Sequence, residues 1–162
     1  MTGQLLQYLE SLRSPVATMA GLPVGSIVVF AQQDLMSHVA KTMAQHQCAV
    51  VMGITGLSLG AKADARVPGP PVDADLEISV WTPEVVMHAG APLAMDVMEA
   101  IIAGLHGRRP PEGAPGMALV PQFQRSSVVS EGGPGSAGRF LVATVNFSVP
   151  VYLKARRSTA AD

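Results

Sequence analysis

The chain has 162 residues, of which 48% are hydrophobic and 14% are charged, and its formal net charge is −1. This composition excludes global disorder and gives no electrostatic case for a general nucleic-acid binder. The single cysteine, Cys48, excludes an intrachain disulfide framework and favours a reducing compartment. The N-terminus lacks the pattern of a secretory signal, and no apolar run approaches the roughly 20 residues that cross a bilayer. We therefore expect a soluble, intracellular protein.

The N-terminal segment predicts a short helix and then a strand. Residues 4–13 place Leu5, Leu9 and Leu12 on one helical face. Because the residue before a proline disfavours helical geometry, Ser14-Pro15 is expected to end this helix. A short apolar strand is predicted over residues 27–30.

A second helix and a buried strand are expected next. Asp34 is a suitable N-cap for a helix reaching about Gln47, and residues 48–55 are rich in Val and Ile, as buried strands are. The segment 57–71 contains prolines, glycines and charges in an irregular order. We expect a long flexible loop there.

Two clean periodicities meet between Val72 and Arg109. Apolar and polar residues alternate from Val72 to Val80, which predicts a strand with one buried face and one acidic face. After Thr82-Pro83 the period changes to that of a helix, with apolar residues at every fourth position. These are Leu93, Val97, Ile101 and Leu105, with Pro92 suited to the first turn and Gly107 to the stop.

The C-terminal part predicts a β-hairpin. Residues 117–123 form a weak strand, interrupted by Pro121 and therefore expected at an edge, with 124–130 continuing it beyond a bulge. The glycine-rich segment 130–138 is the expected flexible tip. The return strand alternates from Arg139 to Leu153, and Pro150 favours an edge position at least locally.

Together these elements predict one α+β domain over residues 1–153, with 57–71 and 130–138 as flexible loops and 154–162 as a polar C-terminal tail. The expected architecture is a mostly antiparallel sheet with two to three helices packed on one face.

Candidate chemical groups are few. His46 and Cys48 are spaced like two metal ligands, but no second His/Cys pair follows at zinc-site spacing. His38 lies about two helical turns before His46, so both can share a face, which is more simply the solvated side of an amphipathic helix. His88 falls in a loop, and His106 at a helix C-terminus is expected to act in capping.

An acidic row is the remaining candidate. Asp73, Asp75 and Glu77 share one strand face, where three carboxylates can bind a hard cation, although such a row is more often a solvated or partner-facing surface. We therefore predict no catalytic, cofactor or metal site, and expect a protein that is not an enzyme.

The order of elements in the second half resembles a known family. An apolar strand and loop (Ala49 to Gly60) precede a strand ending in Trp81, the helix Ala94 to Leu105, and the run Leu105-His106-Gly107-Arg108-Arg109-Pro110-Pro111. A weak strand, a glycine-rich hairpin and the closing strand Val142 to Val151 follow. This "strand, strand-W, helix, L-x-G-x-x-P-P" progression resembles the tail-terminator or tail-completion proteins of long-tailed bacteriophages, including the Mu-like branch. The resemblance covers roughly Cys48 to Leu153.

The resemblance implies a structural virion protein assembled in the host cytoplasm. Such proteins form a ring, expected to be a hexamer, that caps the head-proximal end of the tail tube and stops its polymerisation. The implied partners are other copies of the chain, the tail tube protein and a head–tail connector or neck protein. DNA would pass through the lumen without specific binding, past the acidic row, and no membrane or cofactor is implied.

Two alternatives stay open at this point. The chain can be another neck, connector or baseplate subunit of the same machine. It can also be a small cytosolic enzyme or ligand-binding domain that uses His38 and His46, which predicts a deep pocket joining these histidines to nearby carboxylates.

Overall fold

A computed structural model describes residues 3–30, 34–59, 71–84, 90–109, 120–132 and 138–152, with backbone only at 59, 71 and 152. Within these ranges the chain forms three α-helices and five β-strands. The helices are α1 (Gln4–Ala20), α2 (Leu35–His46) and α3 (Ala94–Leu105), and the strands are β1 (Ile27–Val29), β2 (Ala49–Leu59), β3 (Pro71–Pro83), β4 (Gln122–Gly132) and β5 (Arg139–Tyr152).

The strands form one sheet in the order β1-β2-β3-β5-β4. β1 pairs with β2 in parallel, and every other neighbouring pair is antiparallel. The predicted α+β class and mostly antiparallel sheet are therefore confirmed. β5 inserts between β3 and β4, so the described sheet has β1 at one edge and β4 at the other.

Helices α1 and α3 cover one face of the sheet, which we call the inner face. Alternate residues of β3 point into this layer, and Ala74, Leu76, Ile78 and Val80 are each fully buried. Tyr8, Leu9, Leu12 and Val16 of α1 and Val97, Met98, Ile101 and Leu105 of α3 complete the main core. The residues that the two-residue period of β3 and the four-residue period of α3 predict to be buried are buried, except Leu93, which is exposed, and Val72, which is partly buried.

Helix α2 packs on the opposite, outer face. Its Val39 and Met43 join Ala49 and Val51 in a separate apolar cluster, bordered by Trp81 and other partly buried residues. Ala49 and Val51 alternate along β2 with Val50 and Met52, which belong to the main core, so the two clusters lie on opposite sides of the strand. Two helices therefore share one face, as predicted, and the third lies on the other.

Helix α1 does not end at Ser14-Pro15, and that prediction was wrong. The helix continues through Pro15 to Ala20 and ends at Gly21, which adopts a left-handed φ of 64°. Proline removes one intrahelical hydrogen bond, but the turn after it buries Val16 and Ala17 completely or nearly so. Tertiary burial of these residues outweighs the local cost of the proline.

The strands extend further into the predicted loops than expected. β2 continues to Leu59 and β3 begins at Pro71, so the ends of the predicted 57–71 loop are strand. β4 reaches Gly132 and starts only at Gln122, directly after Pro121. The rest of both predicted loops (60–70 and 133–137), the start of the weak strand (117–119) and the 154–162 tail lie outside the described residues.

Several local predictions are confirmed by the structure. The Asp34 carboxylate accepts from the Ser37 N–H at 3.3 Å and caps α2. The bulge predicted in β4 lies between Phe123 and Arg125. Pro150 pairs with β3 beyond the last residue of β5 that pairs with β4, so it lies at a local edge.

The start of α3 differs slightly from its prediction. Leu93 is the N-cap residue and is 46% exposed, so Pro92 precedes the helix instead of entering its first turn. At the other end, Gly107 has a φ of 72° and donates its N–H to the Pro121 carbonyl at 2.9 Å. Gly107, which was predicted to end the helix, therefore also joins the end of α3 to the residue that precedes β4.

Candidate assembly surfaces

The outer face carries polar side chains where α2 does not cover it. Neighbouring strands match these groups in cross-strand pairs: the Asn146 amide donates to Glu77 Oε2 at 3.2 Å, and the Ser79 and Thr144 hydroxyls lie 3.2 Å apart. Their backbones are directly opposite in the β3–β5 register. The predicted acidic face is thus part of a hydrogen-bonded polar layer that spans two strands.

The acidic row itself is only partly free. Asp75 is exposed, whereas Asp73 and Glu77 are half-buried. Asp75 sits opposite Gly56 at a bulge in β2, and its Oδ2 lies 2.7 Å from the position that a Cβ on Gly56 would occupy. Glycine at this position therefore makes room for the Asp75 carboxylate.

No three His, Cys, Asp or Glu side chains within the described ranges are grouped as metal ligands would be. The acidic row is spread along a strand, and Glu77 is already engaged by Asn146. This arrangement suits a charged surface that meets water or a partner.

The β4 edge is the most exposed strand of the described sheet. Nearly all its residues are exposed, including Val128 at 41% and Val129 at 50%. These two valines point to opposite faces because successive strand residues alternate. At these two positions both faces of β4 are exposed, and in the described sheet its outer backbone edge has no strand partner.

The opposite edge of the sheet lies in a cleft of about 310 Å³. The floor of the cleft is β1, and its walls come from α1 on the inner side and α2 on the outer side. The polar side chains around it are Glu10, Arg13, His38, Lys41, Thr42 and Gln45. The sequence predicted the short strand and both helices, but it missed this cleft because the pattern does not indicate which face of the sheet each helix covers.

Arg13 closes part of the β1 edge. One of its guanidinium nitrogens donates to the Ile27 carbonyl at 3.2 Å, and another pairs with Glu10 at 3.3 Å. Its Nε is buried without a hydrogen-bond partner among the described residues. The side chain supplies a donor where an additional strand would otherwise supply one.

The candidate histidines are not brought together in one pocket. His38 is exposed and lines the cleft, whereas His46 is not among the residues that line it and packs against Gly25. The predicted deep pocket that joins both histidines to carboxylates is therefore not formed within the described residues. His88 lies outside them.

His106 is the C-cap residue of α3, as predicted, and its imidazole makes a further contact. Its backbone N–H bonds to Ile102 at the end of α3, and its Nδ1 accepts from the Phe123 N–H at 3.1 Å. The imidazole thus links the end of α3 to the start of β4. It helps to fix where the exposed edge strand begins.

Two buried side chains have raised pKa values. Burial raises the pKa of Cys48 to about 12, and it raises the pKa of Tyr8 well above its usual range. The Tyr8 hydroxyl has no hydrogen-bond partner among the described residues. Burial of this kind makes Cys48 a structural residue and a poor nucleophile.

Comparison with solved structures identifies the architecture. The chain superposes on a chain from the virion of a native gene transfer agent particle with a TM-score of 0.54, covering 93% of this chain and 95% of that one at 15% identity. The fold is shared with a virion protein. The match covers 93% of this chain, so the common fold includes most of the N-terminal part that the family resemblance did not cover.

A weaker similarity involves the sheath/tube terminator of an extracellular contractile injection system in its extended state. It has a TM-score of 0.36 and 16% identity, and covers 94% of this chain but 62% of the terminator. No family model and no curated protein matches the sequence. None of the described helices is both long and apolar enough to span a membrane.

Proposed function

We propose that this chain is a structural virion protein of a phage-type tail that caps the head-proximal end of the tail tube. Copies of the chain form a ring, six by the family resemblance, that stops tube polymerisation and joins the tail to a head connector or neck protein. The protein acts by assembly and not by catalysis. It is built in the host cytoplasm and resides in the virion.

The observation that carries this proposal is the shared fold with a gene transfer agent virion chain, over nearly the full length of both. The sequence progression from β2 to β5, which resembles the tail-terminator family, adds the specific role. The two supports are independent in part, because the structural match includes α1 and α2.

The surfaces of the molecule are those that a ring subunit needs. A closed ring uses a heterologous interface, in which one patch of each subunit meets a different patch of the next. The β1 cleft and the β4 edge are two such different patches at opposite ends of one sheet. The structure thus provides the two non-equivalent surfaces from which a closed ring can be built.

The polar outer face supports a position toward the lumen. Asp73, Asp75 and Glu77 give this face a negative charge, which repels the DNA phosphates and does not retain a passing duplex. Under this proposal the acidic row prevents DNA from binding to the lumen wall, and DNA is not bound specifically.

The test is to add the purified protein to polymerising tail tubes from the same genome. We expect electron microscopy to show a ring of this protein at one tube end and tubes that stop growing. Tubes that grow unaltered and carry no ring would overturn the proposal. A ring at the opposite end, or on the head connector alone, would instead identify another neck or baseplate subunit.

A His38→Ala/His46→Ala variant gives the control for the enzyme alternative. His38 is exposed at the rim of the cleft and the His46 ring lies against Gly25, so both act only by occupying space under the proposal, and ring formation should persist without either imidazole. Loss of capping with an intact fold would show that an imidazole at one of these positions is required.

A further inference from the structure

We propose that the β4 edge of one subunit inserts into the β1 cleft of the next, so that the sheets of neighbouring copies join into one continuous belt. The inference rests on the proposed ring and names the interface that closes it. The occupant of the cleft is a second copy of this chain.

The first argument is that β4 needs cover on both faces. Val128 and Val129 are 41% and 50% exposed on opposite sides of the strand, and the middle residues 126–130 contain no charge, proline or bulge. Natural edge strands that stay unpaired usually carry such protective features. The middle of β4 therefore lacks the features that usually keep an edge strand from pairing with a further strand.

The second argument is that the β1 cleft has the matching shape. Its floor is a strand edge, and α1 and α2 form walls on the inner and outer sides. A strand added to β1 would place one of its faces against α1 and the other against α2. Both exposed valines of an incoming β4 would then be covered at the same time.

The backbone of β1 directs polar groups toward the cleft, where an added strand can form hydrogen bonds with them. Phe30 donates its N–H to Met52 on β2, and Ile27 turns its carbonyl the other way, toward Arg13. Since strand residues alternate in direction, the polar groups of Val29 also face the cleft. An incoming strand would replace Arg13 at Ile27 and free its guanidinium to bind an acidic partner.

Charge supports the same pairing. The α2 wall contributes the positive charge of Lys41, while Glu10, the one acidic side chain among the described lining residues, is paired with Arg13. β4 carries Glu131 on the face of the sheet that α2 occupies in its own subunit. Insertion therefore brings a carboxylate toward a basic wall.

The main rival is self-pairing of two β4 strands. An antiparallel pair centred on Val128 would place Arg125 opposite Glu131 of the second copy, which is electrostatically favourable. It would place no helix over either valine, however, and it makes a closed dimer instead of a ring. In the β1 cleft each of the two valines would face a helix.

The deciding experiment uses thiol cross-linking of the full-length protein with a short bismaleimide. Phe30 borders the cleft at the end of β1, and Val129 lies in mid-β4. We expect the Phe30→Cys/Val129→Cys variant to give a ladder of covalent oligomers, and a mixture of the two single variants to give dimers only. Cys48 is buried, so the unmodified chain serves as the unlabelled control.

Two outcomes would overturn the proposal. The first is dimers from Val128→Cys alone, which indicate β4 self-pairing. The second is the absence of a ladder both from this double variant and from a second one, Gln45→Cys/Val129→Cys. The ring proposal is judged separately by tube capping. A ladder without capping supports the interface and rejects the tail role, while capping without a ladder does the reverse.

A charge on the edge provides a second measurement. Val128→Lys should weaken self-association about tenfold or more in sedimentation, because it places an ammonium group in the middle of the paired strand. Met95→Lys, at a similarly exposed position on α3, is the matched control and should associate like the original chain. Equal association of the two variants would contradict the interface.

Discussion

The two faces of the sheet are built on different principles. On the inner face, α1 and α3 cover alternate residues of β2, β3 and β5, which are almost all completely buried. On the outer face, α2 covers only the end near Ala49 and Trp81, and hydrogen-bonded polar pairs occupy the middle of β3 and β5. The inner face carries the stability of the subunit, while the outer face and the two edges are left available for contacts.

This difference explains why the molecule offers binding surfaces without a conventional active site in its described part. The polar side chains in the middle of the outer face already form hydrogen bonds with each other across the strands, so a small ligand would add few hydrogen bonds there. Under the proposed function, such a face can contact water before assembly and a flat partner afterwards. Substitutions on the two faces should therefore differ strongly in their effect on stability.

The largest expected effect is in the inner core. Phe147→Ala should lower the free energy of unfolding by about 3–5 kcal/mol, because it removes a ring that is 1% exposed and packs edge-on against Phe123. Urea titration followed by circular dichroism measures the change. Val129→Ala on the exposed β4 edge is the comparison and should cost less than about 1 kcal/mol. Equal costs would show that the edge belongs to the core.

A second effect is expected at alkaline pH. The pKa of Cys48 is about 12 in the folded chain against an ordinary 9.0, so above pH 9 the unfolded state loses a proton that the folded state keeps. Stability should therefore fall as pH rises from 9 toward 12, by up to about 1.4 kcal/mol per pH unit for this group.

The Cys48→Ala variant provides the control for this pH dependence. It should be less stable at neutral pH, because a buried side chain is shortened, but its stability should decline less steeply between pH 9 and 10. Tyr8, whose pKa is also raised by burial, adds to the loss only at higher pH. An identical decline in the variant would mean that Cys48 is not the titrating group.

A smaller effect of opposite sign is expected at Tyr8. Its hydroxyl is buried without a partner in the described structure, so Tyr8→Phe removes a desolvated polar group and keeps the ring. We expect a gain in unfolding free energy of about 1 kcal/mol. Thermal and urea unfolding both report it, and a clear loss of stability would reveal a hydrogen bond from the hydroxyl to another part of the chain.

The smallest effect should come from the polar layer. Glu77→Ala and Asn146→Ala should each cost little, and a double-mutant cycle should give a coupling below about 1 kcal/mol, since both side chains are half-buried. A much larger coupling would mean that the outer face, too, stabilises the isolated subunit.

The sequence predicted those parts of the fold whose signal is local. The alternation in β3, the four-residue period of α3, the Asp34 cap and the β4 bulge each depend on a short stretch of chain, and each is present. The end of α1 was missed because burial of Val16 and Ala17 overrides the local effect of Pro15. Local propensity is a weak guide where tertiary packing opposes it.

The candidate surfaces were predicted only in part. The edge position of β4 follows from Pro121 and the bulge, so the sequence indicated it. The β1 cleft did not follow, because an amphipathic pattern shows that α2 has a buried side but not which face of the sheet it covers. The shape of the cleft depends on that choice, and the contact of Arg13 on α1 with Ile27 on β1 depends in turn on where α1 packs, for which the sequence has no local signal either.

The insertion of β5 beside β3 has a consequence for how the subunit is made. Glu77 and Asn146 meet across 69 positions of sequence, so the central pair of the sheet closes a long loop and raises the contact order of the fold. During synthesis the β2–β3 hairpin emerges well before its β5 neighbour and leaves one side of β3 unpaired. Folding should therefore depend on the pairing of β5 with β3, the long-range step that completes the described sheet. Because β4 is held in the sheet by β5 alone, the edge that the proposed ring interface uses forms only after this step.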